Sequence, residues 1–529
     1  MKKYTYIITL TALSFLTISC SEKDLLLDPP YSDEIESVDT ENKMQQFLNG
    51  AYIYSSYSSA FGTQLVLFGD LLSDHLYVSN TNPQYLTTYN LNYNGQQNEF
   101  GFYRTLYKII NNCNIVINNT SVPVNSNVKR IKAEARILRG YAYFTLLNYY
   151  SPTPTSGINQ EFGVPLVLGN YDASNQPARS TVDEVYNQVI SDLTIGAADA
   201  VDIPSKKVQL SKAAAKLLLS KVYLTRRAPG DAQLALQFAT EVVNLKNDPS
   251  SKFAPINALA LSGNANSAKL YELYFSGTSD ATSEDQPETI WELDLNVNTN
   301  RINGVGSNTS LPRLFNRSES SSRTMLFTKK FFDSFPHTDL PTLPNGTPQS
   351  LSPDVRRGNN KTTTTNLPGV PNAALSAGLL STIGLPTTDN PVGAWTNKYP
   401  RFTDEGNYFR NIKILRFAEA QLNRIEALYL TGQVNQALTE LNAFATSRGG
   451  SVYSGTGTEL LNNILTERDK EFYGEGQRFL DLKRYSLPMV KSSNCVMNCN
   501  VPANDKLFVL PVDQDALNYN PNLKQYPGY

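Results

Sequence analysis

The densest set of acids and bases in the chain lies in "TERDKEFYGEGQRFLDLKRY", residues 466 to 485. Two carboxyls facing each other across a cleft, one kept protonated by apolar surroundings, are what glycoside hydrolysis requires. Here Glu467, Glu471 and Asp481 are interleaved with Arg468, Lys470, Arg478, Lys483 and Arg484. Cationic neighbours lower a carboxyl pKa, which is the wrong direction for a general acid. The pattern therefore reads as a structural ion-pair cluster with Glu467, Arg478 and Asp481 as members, and a glycan-degrading enzyme is the weaker reading. No Walker-type phosphate loop, no His-Glu-x-x-His and no nucleophile elbow occurs, so neither catalytic residues nor a cofactor are expected.

A second chemistry is suggested by "FGDLLSDHLYVSNTNPQYLTTYNLNYN", residues 68 to 94. Tyr77, Tyr85, Tyr89 and Tyr93 stand among Asp74, Asn80, Asn82, Asn92 and Asn94. Flat rings stack on the apolar faces of pyranoses while neutral polar groups bond their hydroxyls. The segment lacks helical periodicity and lies between helical stretches, which predicts a ligand-contacting loop assisted by loops of residues 247 to 410. The alternative is that the tyrosines pack locally against the scaffold. Composition agrees with binding rather than catalysis: 30 Tyr and 23 Phe accompany only 2 His and 2 Trp. A net charge of -2 leaves no basic field for nucleic acid. In "CVMNC", Cys495 and Cys499 can close a small disulfide loop. Zinc there would need two further ligands, and His75 and His337 are both isolated in sequence, so no metal is expected.

The elements that must position these residues are helical at both ends of the chain. In "NVKRIKAEARILRGYAYFTLLNYY" the apolar residues fall at three-four spacing, predicting a helix over 127 to 150. Residues 181 to 199 open with a capping-box pattern, Thr181 to Glu184. "KVYLTRRAPGDAQLALQFATEVV" and "ALYLTGQVNQALTELNAFATS" share Tyr-Leu-Thr, a glycine, and Ala-Leu five residues after it. Each reads as helix, tight turn, helix, the texture of a tetratricopeptide-type repeat, with early helices near 41 to 58 and 97 to 120 as stacking partners. Residues 247 to 410 read as a loop-rich insertion, with a strand in "ETIWELDLNV" that makes Trp291 a core residue.

At the front, Lys2 and Lys3 precede an uncharged run to Ser19, a secretory signal too short for a stable membrane span. Leu16-Thr17-Ile18-Ser19-Cys20 resembles a bacterial lipobox with Leu one place early, making Cys20 the lipidated first residue. The alternative is a plain signal peptide that happens to end at a cysteine. Ser21-Glu22-Lys23-Asp24 is similar to the acidic stretch that sends Bacteroidetes lipoproteins to the outer face of the outer membrane.

Four motifs then occur in one order: "AEARILRGYAYFTLLNYY" with "FGVPLVLG", "ILRFAEAQLNRIEALYLTGQVNQALTELNAFATSRGG", "TERDKEFYGEGQRFLDLKRY", and "FVLPVDQDALNYNPNLKQYPGY". Together they resemble the SusD/RagB-like nutrient-binding outer-membrane lipoproteins of Bacteroidetes. Tyr526 stands where that family usually has Asn, and Asp469 where Arg is common. The resemblance implies a mostly α, SusD-like fold with tetratricopeptide-like helix pairs. Its organisation would be a signal peptide over 1–19, a tether over 20–40 and a single domain over 41–529, with helical scaffold at 41–246 and 411–529 around the 247–410 insertion. It implies a non-enzymatic lid over a SusC-like TonB-dependent transporter, lipid-anchored in the outer membrane and facing the exterior. Most relatives bind oligosaccharides and some take peptides or glycoprotein fragments. Their ligand contacts follow no shared motif, so no site residue carries over.

Overall fold

A computed structural model describes residues 37–80, 82–263, 269–277, 280–295, 310–315, 324–342, 344, 349–359, 382–383, 391–399 and 410–529. The signal segment, Cys20 and much of the 247–410 stretch lie outside them. The helices of seven residues or more are α1 (Glu41–Ser55), α2 (Gln64–Leu71), α3 (Phe102–Ile117), α4 (Ser126–Tyr150), α5 (Val182–Asp199) and α6 (Lys212–Arg226). They continue with α7 (Asp231–Asn244), α8 (Leu270–Ser276), α9 (Phe417–Leu430), α10 (Val434–Ser447), α11 (Gly457–Phe472) and α12 (Arg478–Arg484). The described chain is mostly helical.

Polar side chains set the helix starts by taking up backbone N–H groups that the first turn cannot satisfy. Thr40 accepts from the Lys43 amide at 3.3 Å ahead of α1, and Asn125 accepts from the Val128 amide at 2.9 Å ahead of α4. Thr181 and Glu184 form the capping box of α5 reciprocally. Helix α4 packs against α1, α3 and α5 and is buried along most of its length. Inside this contact the Arg139 guanidinium forks onto Asp192 of α5 at 2.7 and 2.8 Å and donates to Asn114 of α3 at 2.8 Å. One buried cation thus fixes three helices, its desolvation offset by a bidentate partner.

The two similar sequence segments form equivalent hairpins, α6–α7 and α9–α10. Their turns need a left-handed residue, and Gly230 (φ 88°) and Gly432 (φ 80°) supply it without Cβ strain. Ala235 and Ala437, both fully buried, allow close approach of the second helix. Helix α9 packs on α7 as well as on α10. Lys221 of α6 pairs with Glu419 of α9 at 2.8 Å, and Asn423 donates to Ser220 at 2.9 Å.

The described parts of the 247–410 stretch include strands, two of which pair with strands outside it. β2 (Thr289–Leu293) pairs antiparallel with β8 (Ile412–Arg416), and Trp291 is buried with its indole donating to the Val208 carbonyl at 3.1 Å. A four-stranded antiparallel sheet has the order β1 (Leu76–Val78), β3 (Met325–Thr328), β7 (Gly393–Trp395), β6 (Thr382–Ile383). The insertion is therefore stitched to the N-terminal half through β1.

Candidate functional site

The acidic stretch is the centre of an ion-pair core. Glu471, fully buried on α11, meets Arg416 at 3.0 Å, Arg448 at 3.2 Å and Arg356 at 3.5 Å, and accepts from the Tyr271 hydroxyl at 2.9 Å. Burial opposes its ionisation, but Arg448, Arg416 and Arg356 outweigh that and hold the carboxyl far below the usual range. Glu467 meets Arg356 at 2.6 Å, and Asp481 meets Arg484 at 2.7 Å and Arg468 at 3.2 Å. Glu471 and Asp481, held ionised in this way, cannot donate a proton at neutral pH. Arg356, Arg416, Arg448 and Glu288 escaped the sequence reading because they are scattered from 288 to 448 with no local pattern.

Residues 68 to 94 require correction. The segment is not one loop: it contains the end of α2, strand β1 and a helical turn, Leu86–Tyr89. Asp74 is taken by a bidentate contact from Arg478, 2.8 and 2.7 Å. Tyr77, Tyr89 and Tyr93 are core residues whose hydroxyls donate to the carbonyls of Pro391, Ser493 and Leu507. A phenol with a carbonyl partner loses little on burial, so these rings go inside, where they present no face for stacking on a ligand. Tyr85 is half-buried, edge-on to Phe68. Exposed Asn80 contacts Asn494 at 3.4 Å, and exposed Asn94 accepts from the Gln96 and Gln97 amides at 2.9 Å. A disulfide joins Cys495 and Cys499, and the loop it closes lies on this segment through Asn494 to the Val78 carbonyl (2.9 Å) and Asn498 to the Leu91 carbonyl (3.0 Å).

Beneath this segment His75 is buried among Asp469, Asp74 and Asp70 at 3.3, 3.4 and 3.6 Å. Burial opposes its protonation, but Asp469 and then the other two outweigh it and raise its pKa well above the ordinary value. Asp469, the departure from the resembled family's Arg, thereby balances an imidazolium. Among the described residues no group of three or more His, Cys, Asp and Glu is arranged to hold a metal.

Two buried lysines have no such compensation. Lys483 donates to the Asn148 and Ser151 carbonyls, and Lys491 to the Leu71 carbonyl at 2.6 Å with its ammonium 4.3 Å from the Tyr89 ring centre. Burial pushes both down to about 7. Unfolded lysine titrates near 10.4, so between about pH 7 and 10.4 the folded chain binds fewer protons than the unfolded one and stability rises with pH. Each lysine contributes at most about 4–5 kcal/mol over that window, and the gain is lost as pH falls to about 7. His75 acts oppositely, its contribution complete below about 6.5 and lost as pH rises through its folded pKa. Lys491→Met is therefore expected to flatten the rise in denaturation midpoint between neutral and alkaline pH relative to wild type. Parallel pH profiles would refute the assignment.

Two clefts open on the helical half. The larger, about 630 Å³, includes Gln45, Tyr52, Arg130, Glu134, Gln209 and buried Trp291. Several of its polar groups are committed to one another: Tyr52, Gln209 and Arg130 all reach Glu134, and Arg130 donates to Gln45 at 2.8 Å. The smaller, about 420 Å³, lies between α1, α3 and the loop after Val167, lined by Tyr54, Tyr107, Tyr171, Asn111, Asn112 and Asn175. Tyr171 is 75% exposed. No hydrogen bond from another described residue engages the side-chain amides of these three asparagines. This cleft sets an exposed tyrosine ring beside these amides. Sequence reasoning missed it because its rings lie on separate elements.

Comparisons with known proteins place this fold. A family profile described as "Starch-binding associating with outer membrane" matches residues 25–224, and one described as "SusD family" matches residues 287–529. A "SusD-like protein" of Bacteroides ovatus is 30% identical over 161 residues, 28% of this chain and 27% of that protein. The chain matches less than half the length of its curated relatives. Among solved structures, a SusD superfamily protein from Bacteroides thetaiotaomicron superposes with a TM-score of 0.72 at 24% identity, covering 92% of this chain and 100% of that one. A SusD-like carbohydrate binding protein from Bacteroides vulgatus gives 0.67 at 19% identity, covering 92% and 97%. At these identities the structural likeness speaks for the fold.

Proposed function

This chain belongs to the SusD/RagB-like family, and from that premise we propose that it is a binding protein for oligosaccharides rather than an enzyme. It passes its cargo to a SusC-like TonB-dependent transporter and is held on the exterior of the outer membrane by lipid on Cys20. The observation that carries this reading is the starch-binding, outer-membrane-associated profile over residues 25–224, continued to the C-terminus by the SusD profile. The buried carboxyls, locked by arginines, support binding over hydrolysis. Two or more acyl chains on Cys20 would make a durable tether, where one holds only marginally.

The test uses the full-length lipoprotein in mild detergent. Saturable binding to members of an oligosaccharide panel without chain cleavage is expected by calorimetry and product analysis. Purification from native membrane is expected to recover a large barrel protein with it, and Cys20→Ala to release it from the membrane fraction or leave its signal uncleaved. Glycan cleavage, or binding of protein digests with no glycan bound, overturns the reading.

A further inference from the structure

We infer that the cleft around Tyr171 is a saccharide site that selects an acidic sugar, one carrying a carboxylate or sulfate. The inference rests on the oligosaccharide-binding reading above and adds a place and a ligand class to it.

Tyr171 is held through the backbone that leads to it. An aromatic ring 75% exposed to water is a useful platform only if its backbone is fixed before the ligand arrives. Asn114, fully buried on α3, donates to the carbonyls of Val167 and Gly169, both at 2.8 Å, and its own oxygen accepts from Arg139 of the buried Arg139–Asp192 pair. Asn118 adds a bond to the Leu168 carbonyl at 2.8 Å, and Tyr143 bonds both the N–H and the carbonyl of Val167. Just beyond Tyr171, Asp172 accepts from the Ser174 amide at 2.8 Å and hydroxyl at 2.6 Å, closing a turn that faces its carboxylate back on itself. The loop is thus anchored to the core on one side and turned on the other, with the ring left in solvent between.

The charges define the ligand. Lys108, exposed on α3, lies 5.6 Å from the Tyr54 ring centre, and no described acidic side chain pairs with it. Arg104, one turn earlier, has only Asp515 at 3.9 Å, and both are about two-thirds exposed, a contact that water largely screens. Among the lining residues Lys108 and Arg104 outnumber the one carboxylate, Asp172, whose charge the Ser174 hydrogen bonds orient but do not remove, so the lining is net cationic beside uncommitted amides and a stacking ring. A neutral pyranose would use the ring and amides and leave both cations idle. A pyranose bearing an anion would use all of them.

The experiment titrates the full-length lipoprotein in detergent with oligogalacturonates and sulfated galactan oligosaccharides, and with malto- and xylo-oligosaccharides of matched length. Tighter binding of an acidic series, weakened by added salt, is expected. Tyr171→Ala should weaken it about tenfold or more. Lys108→Gln should weaken acidic binding more than neutral binding and so narrow the preference. Both side chains are exposed, so unchanged melting curves are the control. Preference for neutral sugars, or acidic binding that both substitutions leave within about twofold, overturns the inference and leaves the carbohydrate function standing. Failure of every saccharide to bind overturns the broader reading, and this one with it.

Discussion

Glu471→Gln lowers the free energy of unfolding by about 3–5 kcal/mol, the cost of removing one partner from a buried ion pair. Three guanidiniums converge on this carboxylate, and their dependence on it differs. Arg356 retains Asp354 and Glu467, and Arg416 retains Glu288 and Glu475, whereas Arg448 has no other carboxylate within ion-pair distance among the described residues. The dominant loss is therefore a buried Arg448 left uncompensated, at the junction of α10 and α11. Glu467→Gln is expected to cost less, because Asp354 still holds Arg356 through two contacts at 2.9 and 2.7 Å. The pH dependence supplies a second signature. Glu471 has a depressed folded pKa, so its contribution is fully present above the unfolded value of about 4.3 and is lost as pH falls toward the folded one. The variant should accordingly lose part of the acid limb of the wild-type stability profile. Denaturant midpoints for the two variants and wild type, from neutral to acid pH, decide it. A Glu471→Gln cost below about 1 kcal/mol would place the stability elsewhere.

Gly69→Ala is expected to destabilise by more than about 2 kcal/mol, against the direction of helix propensity. In the interior of α2, alanine should gain about 1 kcal/mol over glycine. A Cβ at position 69, however, would stand 2.0 Å from the carbonyl oxygen of Gly476 and 2.5 Å from its Cα, atoms of a backbone that cannot swing aside. Gly476 in turn sits at φ 76° against the Leu65 and Val66 carbonyls, and its amide donates to Asp70 at 2.9 Å. Moving α2 outward would also stretch the Arg478–Asp74 fork and the carboxylates around His75. Gly169→Ala, with nothing within 4 Å of the added carbon, is the control and should be near neutral. A Gly69→Ala protein as stable as wild type would show that the seam yields more easily than packed backbone should.

Local specification is readable in a sequence and long-range partnership is not. The paired hairpins were legible because everything that specifies them is local: a glycine for the turn, an alanine for the approach, and apolar spacing on either side. The capping box of α5 was legible for the same reason. Tyr77, Tyr89 and Tyr93 misled because a phenol that stacks on a sugar and a phenol that donates to a buried carbonyl look identical in composition. Their acceptors lie 314, 404 and 414 residues away. The Tyr171 cleft was illegible in the same sense. Tyr54 lies on α1, Tyr107 on α3 and Tyr171 in a loop that Asn114, Asn118 and Tyr143 tie to the helices.

The seating of α2 on Gly476 has a consequence in time. The two residues joined by the Asp70–Gly476 bond are separated by 406 positions, and ribosomes add roughly 5–20 residues per second. Some 20–80 seconds therefore pass between the synthesis of α2 and that of its seat. Through that interval the face of α2 that seats on Gly476 stays uncovered, while Phe68 can already meet Tyr85, Phe100 and Phe102. The hairpins α6–α7 and α9–α10 can form from neighbours in sequence, but closure of α2 is a late, high-contact-order step. The seating of α2 thus waits on residue 476, while its contacts with nearby residues do not.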